Sequence, residues 1–198
     1  MKKLKRILFI SFILISTLTL SACQEIDNLT GNEGRFVESW KGYLNRNPIY
    51  VNIDHKFENS LKENIVEAVN ILDNNSKGIT FKINHTDYSE NRYINIIKDI
   101  NEEYTSYESG VAGRAITTTS KNSFGDRFVT SYELRSNIYL LKGFYRYGTV
   151  ENIVIHEMMH SLGFGHSDDP ESIMYHIAGN NSMTKEDIDM INEKYPGE

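Results

Sequence analysis

The chain has 198 residues, of which 39% are hydrophobic and 24% are charged. This length and composition are typical of a soluble globular protein with one domain of ordinary size. Residues 1–22 contain four of the 21 basic residues and none of the 27 acidic ones, so the remainder has 17 basic residues and a formal charge near −10. That charge disfavours nucleic acid and bare anionic lipid as partners.

The first 22 residues have the pattern of an export signal. Four basic residues between Lys2 and Arg6 precede an apolar and hydroxyl run of 14 residues from Ile7 to Leu20. A helix that crosses a bilayer needs about 20 apolar residues, so this run predicts a signal peptide that is removed. An uncleaved signal helix that anchors the protein is the alternative.

The single cysteine of the chain, Cys23, directly follows this segment and cannot form a disulfide within the chain. The tetrapeptide Leu20-Ser21-Ala22-Cys23 resembles the lipobox of bacterial lipoproteins, in which two small residues precede the cysteine that receives a diacylglyceryl group. The resemblance implies a signal peptide at 1–22 and an exported protein. Acyl chains on Cys23 would hold it at the bacterial cell membrane, facing outside the cytoplasm.

The rest of the chain is predicted to consist of a tether and one domain. Residues 24–47 are polar with weak periodicity, so 23–47 is interpreted as the lipidated cysteine and its tether. The end of the tether is expected to dock through Trp40 and Tyr43. The domain is placed at 48–198, and we expect it to be a monomer.

The apolar residues of the domain follow strand and helix periods in turn. The predicted strands are 49–53, 79–83, 93–97, 110–119 and 137–141. The last of them is an apolar run suited to an interior strand. The predicted helices are 58–72, 149–162 and one that begins near Thr184, where Thr184 and Asp187 form a capping-box pattern. This order predicts an α/β or α+β domain with one mixed, twisted, five-stranded sheet and three helices.

The end of the predicted helix 149–162 and the residues after it carry metal-binding chemistry. His156 and His160 are four residues apart, so on a helix their imidazoles lie on one face and can bind one ion. Glu157 lies beside them, where its carboxylate can take a proton from a zinc-bound water. Gly163 can adopt a left-handed conformation that ends the helix and turns His166 back toward the metal. Three neutral imidazoles with one open position are typical of catalytic zinc.

The pattern from His156 to His166 resembles the zinc-binding motif of metzincin peptidases. A short His-Glu-x-x-His pattern also occurs by chance in surface helices, but the added glycine and third histidine make a chance match rare. Met174 lies eight residues after His166, and by itself it would be explained by core packing. At this distance, the sequence Ser-Ile-Met-Tyr at 172–175 resembles the methionine turn beneath the metal. Together with Ser167, this turn is similar to the matrixin branch, which includes the matrix metalloproteinases.

The resemblance implies a single domain with one catalytic zinc between the helix that carries the motif and the methionine turn. His156, His160 and His166 would be its ligands, and Glu157 would be the catalytic base. The resemblance also implies that residues 110–115 belong to the edge strand that pairs with an extended substrate.

The sequence departs from the matrixin pattern in the additional ions and in the propeptide. Residues 120–148 contain no histidine, so the family's second, structural zinc has no imidazole ligands there. Asp126 and Glu133 are isolated oxygen donors without a calcium-loop pattern, and we interpret them as solvated surface charges. One zinc ion is therefore expected, and calcium has no support in the sequence. The cysteine that caps zinc in matrixin propeptides is absent, so latency by that route is not expected.

The predicted function is hydrolysis of peptide bonds in proteins or peptides by a zinc-dependent endopeptidase. The alternative is a surface-displayed binding or adhesion lipoprotein on the same scaffold, with little hydrolysis. A zinc-storage protein fits less well, because an open coordination position suits reaction.

The other three histidines are not predicted ligands. His55 and His85 are predicted at the surface, and whether His176 belongs to the substrate cleft is left open. The resemblance implies that cleavage specificity depends on the loop after the methionine turn, at 175–183, whose pocket the sequence does not define.

Overall fold

A computed structural model of the chain describes residues 36–38, 43–44, 48–84, 93–106, 111–122, 131–146, 148–177 and 181–197. The predicted signal peptide and four single residues lie outside these ranges: Cys23, Trp40, His85 and Asp126. The side chains of Tyr43 and Glu133 are also not described. Among the helices within these ranges, none has the length and apolar character that crossing a bilayer requires.

The described strands are β1 (Phe36–Glu38), β2 (Tyr43–Leu44), β3 (Ile49–Ile53), β4 (Phe81–Asn84), β5 (Tyr93–Asp99), β6 (Gly113–Asn122), β7 (Ser131–Leu141) and β8 (Phe164–Ser167). The helices are α1 (Asn59–Asn75), α2 (Val150–Ser161) and α3 (Lys185–Lys194), and a 3₁₀ turn covers Phe144–Arg146. The three helices confirm the prediction, and their bounds lie within a few residues of the predicted ones.

The main sheet is mixed and has five long strands, as predicted. The strands β4, β3, β5 and β7 lie side by side in that order and are parallel, and β6 pairs antiparallel with β7. The two residues of β2 add a short parallel pairing to the start of β7. Within the described residues β6 pairs with β7 alone, so β6 forms one edge of the sheet.

Strand β7 differs most from its predicted bounds, because it begins at Ser131 and not at Asn137. Residues 131–136 are mostly polar and carry no apolar run, yet β7 pairs with β6 from Ser131 to Leu140. Its apolar half does lie in the interior, between β5 and β6. The backbone pairing with β6 therefore extends the strand beyond the part that hydrophobicity could identify.

One face of the sheet carries the hydrophobic core. Side chains at alternate positions, such as Ile94 and Ile96 on β5 and Ile138 and Leu140 on β7, are fully buried. Helix α1 contributes apolar residues at helical spacing to the same core, and it contacts α2. Helix α2 also contacts β6 and β7, and its residues 153–160 are all buried. The helix that carries the predicted ligands thus lies in the interior, next to the edge of the sheet.

Two short strands fall within the segment predicted to be a tether. Besides β2, strand β1 pairs antiparallel with β8, with Phe36 opposite Ser167 and Glu38 opposite Phe164. The segment before residue 48 therefore includes residues that pair with strands of the domain.

Candidate metal centre

Helix α2 brings two of the predicted ligands together on one of its faces. The helix begins after Thr149, whose hydroxyl accepts a hydrogen bond from the N–H of Asn152 at 3.2 Å. His156 and His160 lie one turn apart near its end, and their Nε2 atoms are 3.0 Å apart. Both residues are buried. Two ring nitrogens at this separation can bind the same ion from one side.

The third predicted ligand reaches the same place through a reversal of the chain after α2. Gly163 has a φ of 91°, in the left-handed region that favours glycine, and its N–H bonds to the carbonyl of His160 at 3.0 Å. The chain then returns as β8, which carries His166. The ligand atoms of His156, His160 and His166 all lie within 4.8 Å of one another. The structure thus places together the three side chains that the sequence predicted as ligands.

The hydrogen bonds of the two helical histidines fix which ring nitrogen carries the proton. The Nδ1 atom of His156 is 2.7 Å from the carbonyl oxygen of Ile173, and that of His160 is 2.8 Å from the carbonyl oxygen of Phe164. A carbonyl oxygen can only accept, so each Nδ1 donates its proton and each Nε2 keeps its lone pair. Both lone pairs belong to the Nε2 atoms that are 3.0 Å apart.

Burial keeps these two imidazoles neutral. Loss of hydration lowers the pKa of His156 to about 4, against the opposing hydrogen bond to Ile173. Burial also lowers the pKa of His160 well below its ordinary value, and the neighbouring imidazoles add to the effect. Neutral imidazoles with lone pairs directed into a common space are the form in which histidine binds a metal, so the residues present fit a zinc ion.

The predicted methionine turn lies directly against this group of histidines. Met174 is fully buried, and its carbonyl accepts a hydrogen bond from the N–H of Ser167 at 2.8 Å. The preceding residue, Ile173, supplies the carbonyl that orients His156. The turn therefore connects to the metal centre on two sides, through the backbone beside His166 and through the ring of His156.

A comparison with known families agrees with this geometry. The family model of the matrixins, peptidase family M10, matches residues 89–196, which is more than half of the chain. The chain belongs to the matrixin family. As a matrixin it is a zinc metallopeptidase, and the three histidines of its metal centre suit that ion. No curated protein matches the chain.

The matrixin's methionine turn is held by a residue whose role the sequence did not reveal. Asp187 on α3 is fully buried, and its carboxylate accepts hydrogen bonds from the hydroxyl of Ser172 at 2.6 Å and from the N–H of Ile173 at 3.1 Å. It also completes the predicted capping box with Thr184. The capping pattern identified Asp187, but its contact with a turn 14 residues earlier has no local signal.

The end of α3 holds the other side of the metal centre. The hydroxyl of Tyr195 donates to the carbonyl oxygen of Leu162 at 2.7 Å, and Nζ of Lys194 donates to that of Gly163 at 3.2 Å. Both carbonyls belong to the reversal between α2 and β8. A cation at the end of α2 also complements the partial negative charge of that helix end. Helix α3 therefore fixes both the methionine turn and the turn that brings His166 to the other two histidines.

Glu157, the predicted base, lies on the side of α2 that faces β6. It is fully buried, and the part of its side chain from Cγ onward lies directly against Gly113, the first residue of β6. A chain of hydroxyls links the same elements. The hydroxyl of Ser136 contacts Thr117 at 3.0 Å and Ser161 at 2.7 Å, and Ser161 donates to the carbonyl of Glu157 at 3.1 Å. Strand β6 and helix α2 are thus connected through β7.

The remaining predicted residues lie apart from this group or at its margin. His55 is exposed, with 90% of its side-chain surface accessible. His176 is half-buried, and its ring lies 4.3 Å from that of Tyr175, measured between centroids. Ile177, the next residue, is half exposed. The loop that follows the methionine turn therefore presents aromatic and apolar groups.

Proposed function

We propose that this matrixin is a zinc-dependent endopeptidase that hydrolyses peptide bonds of proteins or peptides. The observation that carries the proposal is the pair His156 and His160, two buried neutral imidazoles whose Nε2 atoms are 3.0 Å apart while both Nδ1 protons go to carbonyls. With His166, this pair would hold the ion. Zinc bound there supplies Lewis-acid polarisation of a carbonyl and makes water acidic enough to lose a proton near neutral pH.

Glu157 is the proposed general base. It is adjacent to His156 in sequence, and its carboxyl arm extends from α2 toward the backbone of β6. In this position it takes a proton from the attacking water and passes it to the nitrogen of the leaving amine as the peptide bond breaks. The backbone of Glu157 belongs to α2 and its side chain packs against Gly113, so the carboxylate is held in one place.

The substrate is proposed to bind as an additional strand along β6. The N–H of Leu141 donates to the carbonyl of Ala112, so these two residues are a hydrogen-bonded pair of the antiparallel ladder. Because such pairs alternate, the N–H and C=O groups of Gly113, Ala115 and Thr117 are directed away from β7, toward the edge. An extended peptide that pairs with this edge would pass in front of Glu157.

Replacement of Glu157 by alanine tests the mechanism. Zinc content should remain at the wild-type level, because the three imidazoles are retained, and turnover of a peptide substrate should fall by about a thousandfold or more. The measurement is the steady-state rate on zinc-loaded protein, with metal content determined in the same samples. A variant with wild-type turnover would contradict the role of Glu157.

A mixed peptide library distinguishes hydrolysis from a function in binding or adhesion. Fragments should appear when the library is incubated with residues 24–198 loaded with zinc, and they should not appear when a chelator is present. Retention of peptides without fragments, under conditions in which zinc is bound, would favour the binding lipoprotein.

We further propose that the protein is exported and anchored through lipid on Cys23, with residues 1–22 removed. The support is the single cysteine directly after an apolar segment too short to cross a bilayer. In a bacterial host supplied with an alkyne-tagged fatty acid, the wild type should be labelled and the Cys23→Ser variant should not. Equal labelling of the two proteins, or absence of label from the wild type, would refute the anchor.

A further inference from the structure

Gly113 occupies a place where a side chain would collide with Glu157. A Cβ built on Gly113 would lie 2.5 Å from Oε1 of Glu157 and 2.9 Å from both its Cδ and its Cγ. Favourable separations between non-bonded carbon atoms are about 3.5 to 4.0 Å. The three atoms nearest to that Cβ all belong to Glu157. The arm of Glu157 therefore fills the volume that a side chain at position 113 would occupy.

Backbone conformation does not explain why this position is glycine. The described glycines with positive φ are Gly143 and Gly163, so Gly113 has a conformation that other residues adopt without strain. Gly113 begins a regular strand, in which glycine is less favourable than residues with side chains. The contacts that a Cβ would make with Glu157 give glycine a steric reason at this position.

We propose that Gly113 is a positioning residue for Glu157: the missing Cβ allows the carboxyl arm to lie against the edge strand, beside the scissile bond of a bound peptide. The inference rests on the proposed function, in which Glu157 is the base. Helix α2 fixes the backbone of Glu157 between His156 and His160, and β6 is held by its pairing with β7, so we expect the arm to rotate to accommodate a methyl group at position 113. That rotation moves the carboxylate away from its place while the ligands stay where they are.

The first test is the Gly113→Ala variant, measured for kcat, KM and zinc content. We expect kcat to fall by about tenfold to a hundredfold, the effect of a displacement of about 1 Å at a reacting group. The KM and the zinc content should stay within about twofold of wild type, because the variant alters neither the ligands nor the edge hydrogen bonds. A general loss of packing would not separate kcat from KM in this way.

Gly197→Ala is the matched control. It also adds one methyl group at a tight position, with the new Cβ 3.0 Å from the backbone oxygen of Lys77 and remote from Glu157. We expect its kcat and KM to equal those of the wild type. Equal kcat in Gly113→Ala and Gly197→Ala would overturn the proposal.

A second test uses thermal stability and needs no activity. If the added methyl group meets the Glu157 arm, Gly113→Ala should lower Tm by about 3 to 8 °C in the wild-type background. In the Glu157→Ala background the arm is absent, so the same substitution should lower Tm by less than about 1 °C. This comparison also applies if Gly113→Ala alone fails to fold, since the double variant should then regain the fold.

The two tests separate the possible failures. A wild type that binds zinc but cleaves no peptide would refute the proposed function, and the stability comparison would still decide whether Gly113 makes room for Glu157. A decrease in Tm of the same size in both backgrounds would show that the methyl group collides with something else, and the positioning role of Gly113 would be wrong.

Discussion

Two turns of this matrixin are each held by a buried aspartate. Asp187 holds the methionine turn, and Asp99 holds the turn after β5. Asp187 accepts four hydrogen bonds, from the hydroxyl of Ser172, the N–H of Ile173, and the N–H and hydroxyl of Thr184. Asp99, the last residue of β5, also accepts four, all from the segment that follows that strand. Both carboxylates accept hydrogen bonds from backbone N–H groups and hydroxyls of turn residues, which need such acceptors when they are shielded from water.

The two aspartates differ in what their turns are connected to. The turn at Asp187 continues through the carbonyl of Ile173 to the ring of His156, so it lies one step from the metal centre. The turn at Asp99 involves Glu103, Tyr104 and Thr105, and Tyr104 stacks on Tyr139 with ring centroids 3.9 Å apart. The number of hydrogen bonds is therefore no guide to function. The turn at Asp187 is connected to a predicted ligand and the turn at Asp99 is not, so we expect Asp187 alone to affect the metal site.

The largest expected effect comes from removing each carboxylate in turn. Asp187→Ala should lower the free energy of unfolding by about 3 kcal/mol and weaken zinc binding by about tenfold to a hundredfold, because the carbonyl that orients His156 loses its support. Asp99→Ala should cause a comparable loss of stability and leave the zinc affinity of the folded protein unchanged. Urea unfolding of the metal-free proteins and competitive zinc titration measure the two quantities.

A result in which both variants lose zinc affinity equally would remove the distinction between the turns. If Asp187→Ala does not fold, Asp187→Asn retains one oxygen acceptor and should show the same difference from Asp99→Asn at smaller amplitude. Loss of zinc affinity in the Asp187 variants alone would show that the methionine turn orients His156 through the carbonyl of Ile173.

A smaller effect is expected at the opposite side of the metal centre. Tyr195→Phe removes the hydroxyl that donates to the carbonyl of Leu162 and should lower the free energy of unfolding by about 1 kcal/mol. Since Leu162 precedes the glycine turn and not a ligand, zinc affinity should fall by less than about threefold. Tyr145→Phe, at a side chain that is half exposed, is the control and should change neither quantity. A tenfold loss of zinc affinity in Tyr195→Phe would show that the C-terminal end of α3 also orients the metal site, as we expect of Asp187 in the first turn of the helix.

The sequence predicted the parts of this molecule whose signals are local. Strand β3 has its predicted bounds at 49–53, because apolar and β-branched residues recur there between turn residues. The three histidines of the candidate metal centre lie within 11 residues, from His156 to His166, so helical spacing and one glycine were enough to predict that they meet. Neither prediction required knowledge of a distant residue.

The parts that the sequence did not predict depend on contacts between distant residues. The first half of β7 is polar and forms a strand because β6 pairs with it. Asp187 was identified only as a helix cap, since its bonds to Ser172 and Ile173 cross from one element to another. The proximity of Gly113 and Glu157 likewise arises from packing of β6 against α2, and no periodicity in the sequence connects them.

The smallest effect in the comparison is the dependence of stability on pH at Asp99. Burial alone would raise the pKa of Asp99, but the N–H groups of residues 103–105 and the hydroxyl of Thr105 outweigh it and lower the pKa below its ordinary value. A depressed folded-state pKa means that the unfolded chain binds the proton more readily. The contribution of this carboxylate to the free energy of unfolding is therefore complete above its unfolded pKa of about 4. It is lost as pH falls through the folded pKa.

This dependence can be measured as the difference in free energy of unfolding between wild type and Asp99→Asn. Both proteins are metal-free, so that zinc release does not contribute. The difference should be constant from pH 7 to 5 and narrow between pH 4 and 2. Urea midpoints across this range measure it, and a difference that widens on acidification would show that the hydrogen bonds do not favour the charged form of Asp99.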